Sequence, residues 1–153
     1  SFNIAKEQAN DLIFFVEDDY LHHENMLIEV IKTYERISSQ LNSDIFVCPA
    51  DYPFLYVNNE KTNVLIGNSR HWRTINKTLC TFFTSKKLIN KYWDNFEKNC
   101  IDRHDPFEKY LNEIYEKEIC ISPLKSLSIH MSNVNSSYGL SPFVDYKKIW
   151  DEN

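Results

Sequence analysis

Glycine is almost missing from this chain: of 153 residues only Gly67 and Gly139 are glycine. A P-loop or a dinucleotide fingerprint needs several glycines at fixed spacing, so neither is present, and any phosphate must be held in another way. Basic residues are also in deficit. Seventeen Lys and Arg face 22 Asp and Glu, a net charge of −5. A surface of that sign gains little from counterion release on a nucleic-acid backbone, which argues against a DNA or RNA partner. Long apolar runs are lacking, so no transmembrane segment is expected. The opening Ser1-Phe2-Asn3-Ile4-Ala5-Lys6 has no signal-peptide core. The four cysteines, Cys48, Cys80, Cys100 and Cys120, form no Cys-x-x-Cys pair. That spacing excludes a zinc ribbon. Cys48, Cys80 and Cys120 lie in apolar runs and read as reduced core thiols. A cytoplasmic location, with a peripheral membrane association left open, is the expectation that follows.

What is present is the composition of a folded domain, 42% hydrophobic and 25% charged, at a length that suits one core. Residues 2–9 fit a short helix. Leu12-Ile13-Phe14-Phe15-Val16 is an unbroken apolar run of strand length, as for a strand buried on both faces. Residues 24–41 carry Leu27, Val30, Ile31, Tyr34, Ile37 and Leu41 at helical spacing. Asp44-Ile45-Phe46-Val47-Cys48 predicts a second buried strand. Strand, helix, strand is the parallel crossover unit. Residues 51–62 read as a loop, and 64–66 and 79–83 as strands with His71-Trp72-Arg73 between them. A helix capped by Ser85 carries Leu88 to Phe96. Another helix starts at Asp105-Pro106-Phe107-Glu108, an Asp variant of the capping box. Short strands near 118–121 and 126–130 and a last helix near 144–151 complete the pattern. The expected architecture is one α/β domain over 1–153, with a mixed, mostly parallel sheet flanked by helices.

The chemistry concentrates where the first strand ends, in Glu17-Asp18-Asp19. Carboxylates crowded at a strand end repel one another. A divalent cation with a taste for oxygen, Mg²⁺ or Mn²⁺, removes that repulsion. The carboxyl ends of strands are also where open α/β sheets bind ligands. Strand alternation places Glu17 and Asp19 on one side and Asp18 on the other. The bland alternative is an acidic, solvated turn. His22 and His23 follow closely and are expected on the surface before the helix. Trp72 and Arg73 suit a sugar face and a phosphate respectively, and Trp72 suits core packing equally well.

Phe14-Phe15-Val16-Glu17-Asp18-Asp19-Tyr20 resembles the strand and acidic signature (a DXD-like motif) of GT-A-type, nucleotide-sugar-dependent glycosyltransferases. The resemblance runs on through Asp51-Tyr52-Pro53, His71-Trp72-Arg73 and Thr81-Phe82-Phe83-Thr84-Ser85 to Ser128-Ile129-His130. It implies a partial GT-A, Rossmann-like fold and transfer of a sugar from a nucleotide-diphosphate donor to a glycan or other hydroxyl acceptor. It further implies Asp19 and His130 as ligands of Mn²⁺ or Mg²⁺, and Asp18, with Glu17, beside the donor. Asp105, preceded by His104 where the family usually has Glu, falls where the acceptor-proton base is placed. About ten residues precede the acidic strand, so the chain resembles the latter part of such a domain, a fragment or a reduced relative without the nucleotide-binding front. Two other readings compete. One is a non-catalytic module of the same fold. The other is a receiver-like domain phosphorylated on Asp51.

Overall fold

The computed structural model describes residues 2–57, 59–101, 107–132, 140 and 144–152. Six strands form the main sheet: β1 (Leu12–Phe15), β3 (Phe46–Val47), β4 (Val64–Ile66), β5 (His71–Ile75), β6 (Phe82–Ser85) and β7 (Cys120–Leu124). Their spatial order is β1-β6-β3-β7-β5-β4, and a separate two-stranded sheet pairs β2 (Tyr20–His22) with β8 (Ser128–His130).

The fold is mixed α/β, but the sheet is not mostly parallel. Only β3 and β7 run parallel; the other four pairings of the main sheet are antiparallel. The crossover predicted from β1, helix and β3 is present in direction only. β6 inserts between β1 and β3, antiparallel to both, with Phe15 opposite Phe82 and Val47 opposite Phe83. The insertion has a local cause. β6 reads Phe-Phe-Thr-Ser with all four residues buried, so it must be covered on both faces and flanked on both edges.

Alternation along the strands builds two cores. Ile13, Phe15, Phe46, Phe82 and Cys120 face one side, against Leu88, Ile89, Phe96, Leu111 and Ile114. These belong to α3 (Lys86–Lys91), α4 (Trp93–Ile101) and α5 (Lys109–Tyr115), joined by Phe2 and Ala5 of α1 (Phe2–Gln8). Val47, Trp72, Phe83 and Ile121 face the other side, against Met26, Val30, Tyr34 and Ile37 of α2 (Met26–Leu41). The last helix, α6, covers Tyr146–Glu152.

Several local expectations shift. Ser85 does cap its helix, accepting the Leu88 N–H at 3.2 Å, but the helix breaks at Tyr92 into α3 and α4. His71-Trp72-Arg73 is itself strand, and Tyr20–His22 is strand rather than a surface approach to the helix. The capping box lies partly outside the described residues. Glu108 sits just before α5 with no side-chain cap bond. On α2 the buried face is Met26, Glu29, Val30, Thr33, Tyr34 and Ile37, so the helix is rotated from the apolar repeat and leaves Leu27 and Leu41 exposed. The reason is Glu29. Its carboxylate accepts from Thr33 Oγ1 (3.1 Å), Asn68 Nδ2 (2.9 Å), Ser69 Oγ (2.7 Å), the Ser69 N–H (3.1 Å) and Trp72 Nε1 (3.4 Å). The hairpin joining β4 and β5 thus closes onto α2 through one acid. Gly67 is required in that hairpin, since a Cβ there would lie 2.2 Å from Trp72 Nε1.

Candidate metal and phosphate site

β1 delivers the acidic cluster to the carboxyl edge of the sheet, and a turn at Asp18-Asp19 leads directly into β2. β2 then pairs with β8 so that Tyr20 stands opposite His130. This small sheet closes a contact between distant parts of the chain. His130 Nε2 lies 2.8 Å from Asp19 Oδ2, with the side chains 12% and 30% exposed. Ser132 Oγ donates to the same carboxylate oxygen, and the Met131 N–H donates to the Asp19 carbonyl at 2.8 Å. His130 Nδ1 is buried and has no hydrogen-bond partner among the described residues.

Glu17 lies close enough to Asp19 to feel its charge. Its N–H donates to Thr81 Oγ1 at 3.1 Å, and the Thr81 hydroxyl lies 3.4 Å from Glu17 Oε2. Burial raises the Glu17 carboxyl, the Asp19 and Glu108 charges raise it further, and His130 opposes them. Glu108, half-buried before α5, is likewise raised by burial and feels His130. Glu108 was predicted only as part of a helix cap; the sequence carries no signal that folds it beside Glu17. Asp18 is exposed.

Two of the residues expected from the sequence to meet a donor are not brought here. Trp72 and Arg73 are neighbours on β5 and so point to opposite faces of the sheet. Trp72 is fully enclosed against α2 and leaves no face for a sugar. Arg73 is buried on the other face, with its Nη2 2.6 Å from Asp51 Oδ1 and its guanidinium 4.0 Å from the Tyr56 ring centroid. Tyr56 donates its hydroxyl to the other Asp51 oxygen. Arg73 is therefore committed to a buried carboxylate, which also answers the receiver reading: Asp51 is 3% exposed and paired, closed to a phosphoryl donor. His22 is not a surface residue; its Nδ1 lies 2.7 Å from Ser128 Oγ, and burial lowers its pKa. Asp105, and His104 before it, lie outside the described residues.

Among the described residues no three His, Cys, Asp or Glu side chains stand together as a ready-made metal cage. The Asp19–His130 pair nevertheless has suitable geometry for two ligands of one ion. Octahedral bonds of about 2.1 Å set neighbouring ligand atoms roughly 3 Å apart, and the pair is separated by 2.8 Å. Mg²⁺ and Mn²⁺ on phosphate substrates commonly take one or two protein ligands and draw the rest from water and phosphate oxygens. An imidazole in the set favours Mn²⁺, the less hard of the two. Among the described residues no helix is long and apolar enough to cross a membrane. Comparison with known proteins returns no match: no family model fits the chain, and no curated protein or solved structure is significantly similar to it.

Proposed function

We propose that this chain carries the metal-dependent half of a glycosyltransferase site, moving a sugar from a nucleotide-diphosphate donor to a hydroxyl acceptor. One observation supports the reading above the others. Asp19 and His130, which the GT-A resemblance pairs as metal ligands from opposite parts of the sequence, meet at 2.8 Å. Mn²⁺ or Mg²⁺ bound there would neutralise charge growing on the leaving diphosphate.

The chain's own residues supply the remainder. Asp19 and His130 hold their geometry because β2 and β8 are in register and Ser132 fixes the carboxylate. Glu17 is braced by Thr81 and lies close enough to Asp19 and His130 to feel their charges. Asp18, exposed to solvent, meets a ribose or donor-sugar hydroxyl in this scheme. Asp105 takes the acceptor proton in this scheme.

A second reading draws on the Ser132 contact. With Ser132 and His130 both on Oδ2, Asp19 can act simply as a staple between β2 and the end of β8 in a non-catalytic module. A thermal-shift panel of nucleoside diphosphates, each with and without Mn²⁺, separates the two. The transferase reading expects Mn²⁺-dependent stabilisation of the wild type, about 2.7 kcal/mol at ligand a hundredfold above Kd, and its loss in Asp19→Ala. If neither protein responds to any member of the panel, donor binding by this chain is ruled out.

A further inference from the structure

The polar chain leading inward from Tyr20 belongs to none of the roles above. Tyr20 follows Asp19 directly, and its ring lies against His130, with centroids 5.1 Å apart and 33° between planes. A half-buried tyrosine hydroxyl needs a partner, and here the partner is another tyrosine: the Tyr20 and Tyr52 hydroxyls are 2.5 Å apart. From Tyr52 the chain continues to Cys48 Sγ at 3.9 Å and then to Thr78 Oγ1, 3.1 Å from that sulfur.

Tyr52 is 1% exposed, and the segment that carries it is anchored on every side. The Leu127 N–H donates to the Pro49 carbonyl (2.9 Å), Ser122 Oγ to the Ala50 carbonyl (2.9 Å), and the Asp51 N–H to Ser126 Oγ (2.8 Å). The Asp51 carboxylate is held by Arg73, and the Tyr52 ring stacks on Phe54 at 5.3 Å. β2, by contrast, has ladder pairing with β8 alone among the described residues and is not a strand of the main sheet. The rigid end of the hydroxyl pair is therefore Tyr52. The end it steadies is Tyr20, one residue from Asp19 and in ring contact with His130. Among the described residues no hydrogen bond on Nδ1 fixes the His130 ring, so the packing of Tyr20 and the bond to Asp19 set its orientation.

We infer that Tyr52 is a positioning residue for the Asp19–His130 pair, acting through Tyr20. The inference rests on the metal reading of that pair and deepens it: affinity for the ion depends on a buried hydroxyl that touches neither ligand. Outer-shell partners of metal ligands commonly contribute 10- to 100-fold to affinity. Tyr52 stands one contact further out, so roughly a three- to tenfold effect is expected.

The test is Mn²⁺ titration of the whole chain by electron paramagnetic resonance, in the presence of inorganic pyrophosphate, on the wild type, Tyr52→Phe, Tyr20→Phe, the double variant, Tyr56→Phe and Asp19→Ala. Tyr52→Phe should weaken Mn²⁺ binding and alter the bound-ion spectrum, which a loss of stability alone does not do. Tyr20→Phe should do the same from the exposed side of the link, and so replaces Tyr52→Phe if that variant fails to fold. The double variant should be no weaker than Tyr20→Phe. Tyr56→Phe removes a hydroxyl from the same segment without touching Tyr20 and should bind as the wild type does. Unchanged affinity in both Tyr52→Phe and Tyr20→Phe, or an equal loss in Tyr56→Phe, overturns the positioning role while leaving the metal site standing. Equal Mn²⁺ binding by wild type and Asp19→Ala overturns the metal reading and the inference with it.

Discussion

Two groups of acids in this protein live under opposite conditions. Glu29 and Asp51 are buried and saturated with partners. Glu29 collects donors from α2, the β4–β5 hairpin and Trp72, and Asp51 takes Arg73, Tyr56 and the support of the Ser126 hydroxyl on its own N–H. Glu17 and Glu108 stand at the rim, half-buried and, among the described residues, with fewer donors, and Glu17 lies among like charges. Asp19 beside them takes Ser132 and His130 on one carboxylate oxygen and, among the described residues, leaves the other open. Burial opposes ionisation of Glu29, yet hydrogen bonds from Ser69, Asn68 and Trp72 outweigh it and lower its pKa to about 2. Burial raises the Asp51 carboxyl despite Tyr56 and Arg73, and at the rim the carboxyls of Glu17 and Glu108 are raised as well, there with like charges adding to burial at Glu17. An acid with its full set of donors is committed to the fold. Acids that crowd together without them retain lone pairs for a cation, and that is why the rim, and not the better-ordered interior, is the candidate site.

The contrast can be broken hardest at Arg73. Arg73→Leu leaves the Asp51 carboxylate buried without its cation, and removal of one partner from such a pair costs about 3–5 kcal/mol. Urea unfolding of the variant should show that loss, with the double variant Arg73→Leu/Asp51→Asn recovering part of it. Recovery would identify the cost as an uncompensated charge rather than a packing defect.

Glu29 gives the next largest effect and a pH signature. Its folded pKa, about 2, lies below the ordinary value of 4.5. The ionised form is thus favoured in the folded state, so its contribution is complete above about pH 4.5 and is lost as pH falls towards 2. Glu29→Gln should lose about 1.5–3 kcal/mol at neutral pH, the range for hydrogen bonds to a charged group. It should also flatten the stability profile between pH 4.5 and 2. An unchanged acid limb in thermal melts would mean that the carboxylate is not held as described.

The smallest effect has the opposite sign. Glu17 is raised, so protonation favours the folded state and stability falls as pH rises above 4.5 through the folded value. Glu17→Gln should therefore stabilise the metal-free protein at neutral pH, by less than about 1 kcal/mol given its partial exposure. If it destabilises instead, the rim acids are not in mutual repulsion and the comparison with Glu29 loses its basis.

Much of this could be read from the sequence because it is local. The apolar run 12–16, the Ser85 cap and the amphipathic α2 each depend on residues within a turn or two. β2 was missed because three residues, Tyr20-Leu21-His22, gain strand character only from β8 across a long stretch of chain. Trp72 and Arg73 were read together because they are adjacent. On a strand, adjacency puts them on opposite faces, and the burial of each depends on elements far away in sequence. Glu29 gave no sign at all, being one more charged residue in a helix until the β4–β5 hairpin folded onto it.

The chain by itself determined where acids crowd and most of the segments that are strand or helix, β2 and β5 excepted, because propensity, capping and hydrophobic period act over a few residues. Only the tertiary structure decided that β6 would separate β1 from β3, that His130 would reach Asp19, and that Asp51 and Glu29 would be consumed by structural partners. Those outcomes turn on contacts between distant segments, whose formation depends on the topology of the whole sheet and not on any window of sequence.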